Sequence, residues 1–146
     1  MSKTAAIAWI GVPSAPDGSQ PRTYIPGVCN IGPAEIARRR RAGWTGAAVT
    51  VAAWAALAAF DAPPVVRLLL FFPAMMSATG FLQAAMHFCA YFGFSALFNF
   101  GPEAGRSKTD TVAEAEFRAK DRRKALQIVA YAAAIGAVVA GAAYLL

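Results

Sequence analysis

The side chains that could do chemistry in the apolar part of this chain are Cys29, Gln83, His87, Cys89 and Tyr91. Two thiols and the only histidine could serve as a redox pair or bind a soft metal, because thiolate and imidazole are good ligands of zinc and copper. On a continuous helix His87 and Cys89 point to opposite sides, so they share an ion only if the helix unwinds there. The alternative is two packed cysteines without chemistry, since free cysteine is often buried.

A second pattern is polar rather than redox-active. Gln83, His87 and Tyr91 are spaced by four residues and would share one helical face. Polar groups at membrane depth are costly and face protein, water or a ligand. The stripe could therefore hydrogen-bond a quinone headgroup, a lipid carbonyl or the backbone of a neighbouring helix. One histidine without an attachment motif argues against haem, and the cofactor is left unknown.

These residues must be positioned by apolar helices. Three stretches lack Asp, Glu, Lys and Arg altogether: 42–60, 68–100 and 125–146. Each is long enough, at about 1.5 Å per helical residue, to cross a hydrocarbon core about 30 Å thick. The composition is 58% hydrophobic and 15% charged, against about 25% charged for a soluble domain. The sequence predicts an all-α integral membrane protein with three transmembrane helices.

Charge placement predicts the orientation of these helices. Of the 14 Lys and Arg residues, all except Arg67 flank the same side of the three predicted spans. The positive-inside rule puts that side in the cytoplasm, with the amino terminus inside and the carboxyl terminus outside. The basic charge is confined to membrane-flanking segments, so no nucleic-acid partner is expected. The run Arg38, Arg39, Arg40 and Arg41 is interpreted as an anchor to lipid headgroups.

The chain divides into three predicted parts. Residues 1–41, interrupted by prolines and glycines, form an irregular cytoplasmic arm, although Pro33 suits a first helical turn. Residues 42–100 form a transmembrane hairpin whose second helix, about 66–88, is extended by an interfacial aromatic segment from about 89 to 100. Residues 101–146 form a charged cytoplasmic helix that continues into the third span.

The third span carries small residues at intervals of four: Ala132, Gly136 and Ala140. Such a face allows helices to approach closely in lipid. It packs either inside this chain or against a partner.

Two short motifs resemble those of a known family. The run 29–35, Cys-Asn-Ile-Gly-Pro-Ala-Glu, is followed by Arg38 and Arg39, and Phe-Cys-Ala-Tyr ends the second span. Together they resemble the YgaP-like small inner-membrane domain family over about residues 28–99. The resemblance implies a hairpin in a bacterial-type inner membrane with a cysteine, Cys89, at its cytoplasmic end. It also implies a turn leading into the first helix, built on Asn30, Gly32 and Glu35. Ala90 stands where the family often has proline, and no rhodanese module fits in the chain, so sulfurtransferase activity is not implied.

Two functional hypotheses follow. The first is a non-enzymatic accessory or assembly subunit that contacts membrane lipid and packs against a larger membrane complex or a second copy, since no acid/base pair lies within the spans. The second is a protein that handles thiols, persulfides or soft metals at the cytoplasmic face through Cys89 and Cys29. The sequence leaves enzyme activity uncertain and favours its absence.

Overall fold

The structure, a computed structural model, describes residues 23–105 and 109–146. The helices are α1 (Pro33–Ala59), α2 (Pro64–Arg67), α3 (Phe71–Ala85), α4 (Ala90–Ser95) and α5 (Ala115–Leu145), and two short strands, β1 (Leu97–Phe98) and β2 (Asp110–Thr111), pair antiparallel. The predicted helical class is confirmed, with this two-stranded ribbon added. The first 22 residues of the predicted arm lie outside the described residues.

Three helical stretches in the described part of the chain are long and apolar enough to cross a membrane: Pro33–Ala59, Pro64–Ala85 and Ala115–Leu145. Their number and approximate positions agree with the three predicted spans. The first of them begins at Pro33, as the proline suggested, so the end of the 1–41 segment is helical rather than irregular. α5 runs without a break from the charged segment into the last apolar stretch.

The second stretch is irregular near its start. A 3₁₀ turn over Leu68–Leu70 joins α2 to α3. Pro73 lies in the first turn of α3 and has no backbone N–H to donate to the carbonyl of Leu69. Shorter i to i+3 hydrogen bonds are the usual adjustment at such a position.

α3 ends earlier than expected, and the predicted extension of this helix is wrong. His87 adopts a left-handed conformation with φ of 52°, and the N–H of Phe88 bonds back to the carbonyl of Gln83 at 3.0 Å. This is the hydrogen bond of a Schellman helix end. The chain then turns away and starts α4 at Ala90.

α1 and α5 both pack on α3 rather than on one another. At the crossing of α1 and α3, a Cβ atom on Gly80 would lie 2.5 Å from the backbone nitrogen of Gly43. The Ser77 hydroxyl donates to the carbonyl of Gly43 at 2.8 Å. Small residues thus allow the two backbones to approach closely.

The small-residue face of α5 packs within this chain. Ala132, Gly136 and Ala140 are buried, and a Cβ atom on Gly136 would lie 3.0 Å from the carbonyl of Phe71. Of the two alternatives left by the sequence, the structure adopts the internal one for this face.

Many of the fully buried side chains lie in a cap at one end of the helices. Its buried side chains include Phe88, Phe92, Ile31 and Ile128. Segment 89–100 was expected to lie flat among headgroups, and that expectation is wrong for Phe92, which is 1% exposed. α4 packs against α5 instead, because Gly93 allows its backbone to come close to that of Asp121. Tyr91 and Phe94 remain on the surface.

Candidate functional site

The cap holds a buried polar cluster around Cys89. We call it the Cys89 cluster, and its members are Asn30, Glu35, Arg39, Cys89 and Asn99. Its first connection joins Asn30 to Cys89. The Asn30 side chain accepts a hydrogen bond from the Cys89 N–H at 2.7 Å and donates to the Cys89 carbonyl at 3.1 Å. Both residues are fully buried, so the segment before α1 is tied directly to the segment after α3.

Asn99 provides the second connection. Its N–H donates to the carbonyl of Asn30 at 3.0 Å, and its own carbonyl accepts from the N–H of Gly32 at 2.8 Å. The side-chain amide of Asn99 lies 3.4 Å from Oε1 of Glu35. The same carboxylate oxygen accepts the N–H of Gly105 at 2.6 Å. The turn that leads into α1 is therefore pinned to the segment that follows β1.

Arg39 links the carboxylate to the thiol. One guanidinium nitrogen, Nη2, lies 3.3 Å from Oε2 of Glu35 and 3.0 Å from Sγ of Cys89. The guanidinium also lies over the ring of Phe92 at 5.9 Å. A buried carboxylate needs a partner of opposite charge, and Arg39 supplies it from one helical turn away. This side chain, 19% exposed, turns into the protein, so the expected headgroup role does not hold for it.

The other three arginines of the run lie nearer to solvent. Arg38 is half exposed and lies 3.8 Å from Oε2 of Glu35. Arg40 and Arg41 are exposed, which is compatible with the headgroup interpretation.

Burial makes both thiols poor nucleophiles. It raises the pKa of Cys89, an effect that the charge of Arg39 partly offsets. It raises the pKa of Cys29 to about 11, against a smaller opposing contribution from the hydrogen bond to the carbonyl of Ile31. Both cysteines are free and buried. Thiolate is the reactive form, so neither cysteine has the low pKa and exposure expected of a redox centre.

The predicted polar stripe is not formed, because the helix ends before His87. Gln83 is buried in α3 with no hydrogen-bond partner for its Oε1 atom among the described residues. Tyr91 is 45% exposed on α4. His87 lies in the turn between them, where desolvation and then the charge of Arg40 lower its pKa. The three side chains therefore share no helical face.

The unwinding that a metal site would need at His87 and Cys89 does occur. Even so, no group of three or more His, Cys, Asp or Glu side chains within residues 23–105 and 109–146 is arranged to hold a metal ion.

Three polar residues that organise the cap were not predicted from the sequence: Asn99, Asp121 and Tyr24. Asn99 gave no signal because it lies within an aromatic run. Asp121, fully buried on α5, accepts the Tyr24 hydroxyl and the Gly27 N–H, each at 2.7 Å. The burial of Asp121 could have been predicted from helical spacing, because it lies on the same face of α5 as the buried residues Ala125 and Ile128. Desolvation, and then the carboxylate of Asp121, raise the pKa of Tyr24.

Comparison with known proteins finds no family model, no curated protein and no solved structure that matches this chain.

The geometry of the Cys89 cluster thus favours fixing the chain over performing a reaction. Its hydrogen bonds join backbone segments, its one carboxylate faces arginine, and its thiol is fully buried. Two open cavities lie between α1, α3 and α5, away from this buried cluster.

Proposed function

We propose that this chain is a non-enzymatic integral membrane subunit that receives a transmembrane helix of a larger partner between α1 and α5. The observation that carries the proposal is the groove left open because both helices pack on α3 and not on each other. We call this feature the interhelical groove.

The interhelical groove consists of two adjoining cavities of about 530 and 320 Å³ that share Thr50, Val51 and Val139. Its other lining residues come from all three spans: Ala47 and Trp54 of α1; Ala74, Ser77, Ala78, Phe81, Leu82 and Ala85 of α3, with Leu70 before it; and Ile135, Val138, Ala142 and Ala143 of α5, with Leu146 after it. The groove therefore extends along much of the apolar length of the chain.

The groove suits an apolar occupant. The hydroxyls of Thr50 and Ser77 donate to backbone carbonyls of α1, so they offer no unused donor to a polar ligand. The small side chains of Ala47, Ala74 and Ala78 leave room for another helix to come close to the backbone, the feature that favours helix association in lipid. A fourth helix in this position would complete a four-helix arrangement.

The exposure of α1 supports the same proposal. Only 6% of its most apolar stretch is buried, against 28% in each of the other two spans. Trp44, Val51 and Trp54 are among its exposed large side chains. A helix with so little internal packing gains stability from contacts outside the chain.

The proposal includes the orientation argued from charge. The basic segments around α1 and α5 would lie on the cytoplasmic side of a bacterial-type inner membrane, and the 61–64 turn on the other side. The cap with the Cys89 cluster would then lie at the cytoplasmic ends of the spans.

Co-purification from native membranes tests the partner. Val51→Trp would fill the groove, whereas Met76→Trp lies on the opposite face of α3, and the two native side chains are similarly exposed at 65% and 71%. We expect wild type and Met76→Trp to retain one stoichiometric companion protein. Val51→Trp should reduce its recovery about tenfold, which corresponds to about 1.4 kcal/mol of binding free energy. If only a second copy of this chain is recovered, the occupant of the groove is another copy and not a larger partner. Equal recovery with both variants would contradict the groove as its binding site.

A second candidate function is thiol chemistry at Cys89, favoured by the contact of 3.0 Å between its sulfur and the Arg39 guanidinium. A neighbouring cation stabilises thiolate. This candidate requires the cap to open, because Cys89 is fully buried. Selective alkylation of Cys89 in the folded protein at neutral pH would support it.

A further inference from the structure

A basic cleft opens where the turn before α1 meets the middle of α5. The cleft has a volume of about 480 Å³, and its lining residues are Pro26, Gly27, Lys120, Arg123, Lys124 and Gln127. We refer to it as the basic cleft. It is separate from both the interhelical groove and the Cys89 cluster.

The turn that forms one wall of the cleft is held firmly against α5. Gly27 has a positive φ of 69°, and a Cβ atom there would lie 3.2 Å from Cβ of Lys120. The Gly27 N–H donates to one carboxylate oxygen of Asp121, and the Tyr24 hydroxyl donates to the other, both at 2.7 Å. Asp121 is fully buried. Its charge is therefore used to hold the turn in place rather than exposed in the cleft.

The charges that line the cleft are positive. Lys120 forms an ion pair with Glu116 at 2.8 Å. Among residues 23–105 and 109–146, no ion pair joins Arg123 or Lys124 to a carboxylate. Two cations therefore remain available to an anion, with the amide of Gln127 beside them.

The position of the cleft along α5 points to the kind of anion. Lys124 directly precedes the charge-free stretch 125–146, so the cations would lie at the level where a span meets the headgroups. An exposed apolar side chain follows on α5 below the cleft, Tyr131 at 47% exposure, before the helix reaches Ile135 and Val138 of the interhelical groove. Tyr131 follows Gln127 at helical spacing and offers an apolar surface to the start of an acyl chain.

From this juxtaposition we infer that the basic cleft binds the phosphodiester of an anionic phospholipid, whose acyl chains pass over Tyr131 into the surrounding lipid. Arg123 and Lys124 neutralise the phosphate, and Gln127 donates a hydrogen bond to it. The inference rests on the membrane placement in the proposed function, but not on the existence of a protein partner.

Native mass spectrometry of the detergent-purified chain tests the site with two probes, phosphatidylglycerol and phosphatidylcholine. The variant Arg123→Gln/Lys124→Gln removes the two cleft charges. The variant Arg40→Gln/Arg41→Gln removes two exposed charges from the headgroup anchor of α1 and serves as the comparison for charge removal outside the cleft. We expect phosphatidylglycerol to be retained in preference to phosphatidylcholine, and the cleft variant to lose about thirtyfold in its retention, since two membrane-surface cations contribute about 1 kcal/mol each. The variant Arg40→Gln/Arg41→Gln should lose much less of its phosphatidylglycerol than the cleft variant does.

Three results would overturn the inference: equal retention of the two lipids, equal loss in both double variants, or displacement of phosphatidylglycerol by millimolar inorganic phosphate. The last would reassign the cleft to a free anion. Unfolding curves of the two variants in the same detergent, which we expect to match wild type, establish that lost binding is not lost folding. Flotation of the chain with neutral vesicles separates the two proposals. Failure to float would contradict the membrane placement, whereas flotation without lipid selectivity contradicts only the site.

Discussion

The side-chain amide of Asn30 holds both backbone hydrogen-bonding groups of Cys89, accepting at 2.7 Å and donating at 3.1 Å. The two residues are 59 positions apart in the chain, and the pair closes the end of the hairpin formed by α1 and α3. An amide offers a donor and an acceptor side by side at any pH in the physiological range, as this geometry requires. The role of Asn30 in this structure is therefore to fix the fold of the cap.

Asn30→Asp should destabilise the protein by about 1–3 kcal/mol, because the ionised side chain keeps the acceptor but leaves the buried Cys89 carbonyl without a donor. Equilibrium unfolding in detergent measures the change. Gln127→Glu, an exposed amide-to-acid substitution, should change stability by less than about 0.5 kcal/mol. Equal stability of the two variants would contradict the role given to Asn30.

Two glycines offer a matched test of helix packing. Gly80→Ala should cost about 2 kcal/mol or more, because its Cβ would meet the backbone of Gly43 at 2.5 Å. Gly141→Ala should instead stabilise the protein by up to about 1 kcal/mol, since its Cβ meets nothing within 4 Å and alanine favours helix. Thermal unfolding in one detergent compares them. A tolerated Gly80→Ala would mean that α1 and α3 do not cross at these residues.

The buried thiols should make stability depend on pH in the alkaline range. Burial raises the pKa of Cys29 from 9.0 to about 11, so the folded chain keeps a proton that the unfolded chain loses. The resulting stabilisation is fully present below about pH 9 and is lost as the pH rises towards about 11. Unfolding measured between these values should show a steeper loss for wild type than for Cys29→Ser. Parallel curves would contradict the raised pKa.

Labelling with iodoacetamide provides the kinetic counterpart of that prediction. Both Cys29 and Cys89 should react slowly at neutral pH and quickly once the protein is unfolded, because each is buried with a raised pKa. Rapid, selective labelling of Cys89 in the folded chain would favour thiol chemistry over the accessory role.

The sequence was sufficient to predict the three long apolar helices and insufficient to predict the cap. Long charge-free stretches and the proline at position 33 predicted the helices, because hydropathy and helix-start chemistry act locally. The end of α3 could not be predicted in the same way, since it depends on His87 in a left-handed conformation with neither glycine nor proline at that position. Its carbonyl accepts the N–H of Asn30 at 3.2 Å, a tertiary contact that the sequence does not encode locally.

The residues of the Cys89 cluster likewise include some that local motifs predicted and one that they did not. Asn30, Glu35 and Cys89 were singled out by their motifs, and the structure brings them together. Asn99 completes the cluster through contacts with residues far away in the chain, including Glu35, 64 positions earlier. Long-range pairing of this kind follows from how the cap folds, which no periodicity in the sequence predicts.

Photo-crosslinking in native membranes tests the central claim most directly. Benzoylphenylalanine placed at Val51 lies in the interhelical groove, and the same residue at Met76 lies on the opposite face of α3. We expect the Val51 position to form one discrete crosslink to a partner that contributes a transmembrane helix, and the Met76 position to crosslink only to lipid. Crosslinks to lipid alone at both positions would contradict a role as an accessory subunit that receives a partner helix in this groove.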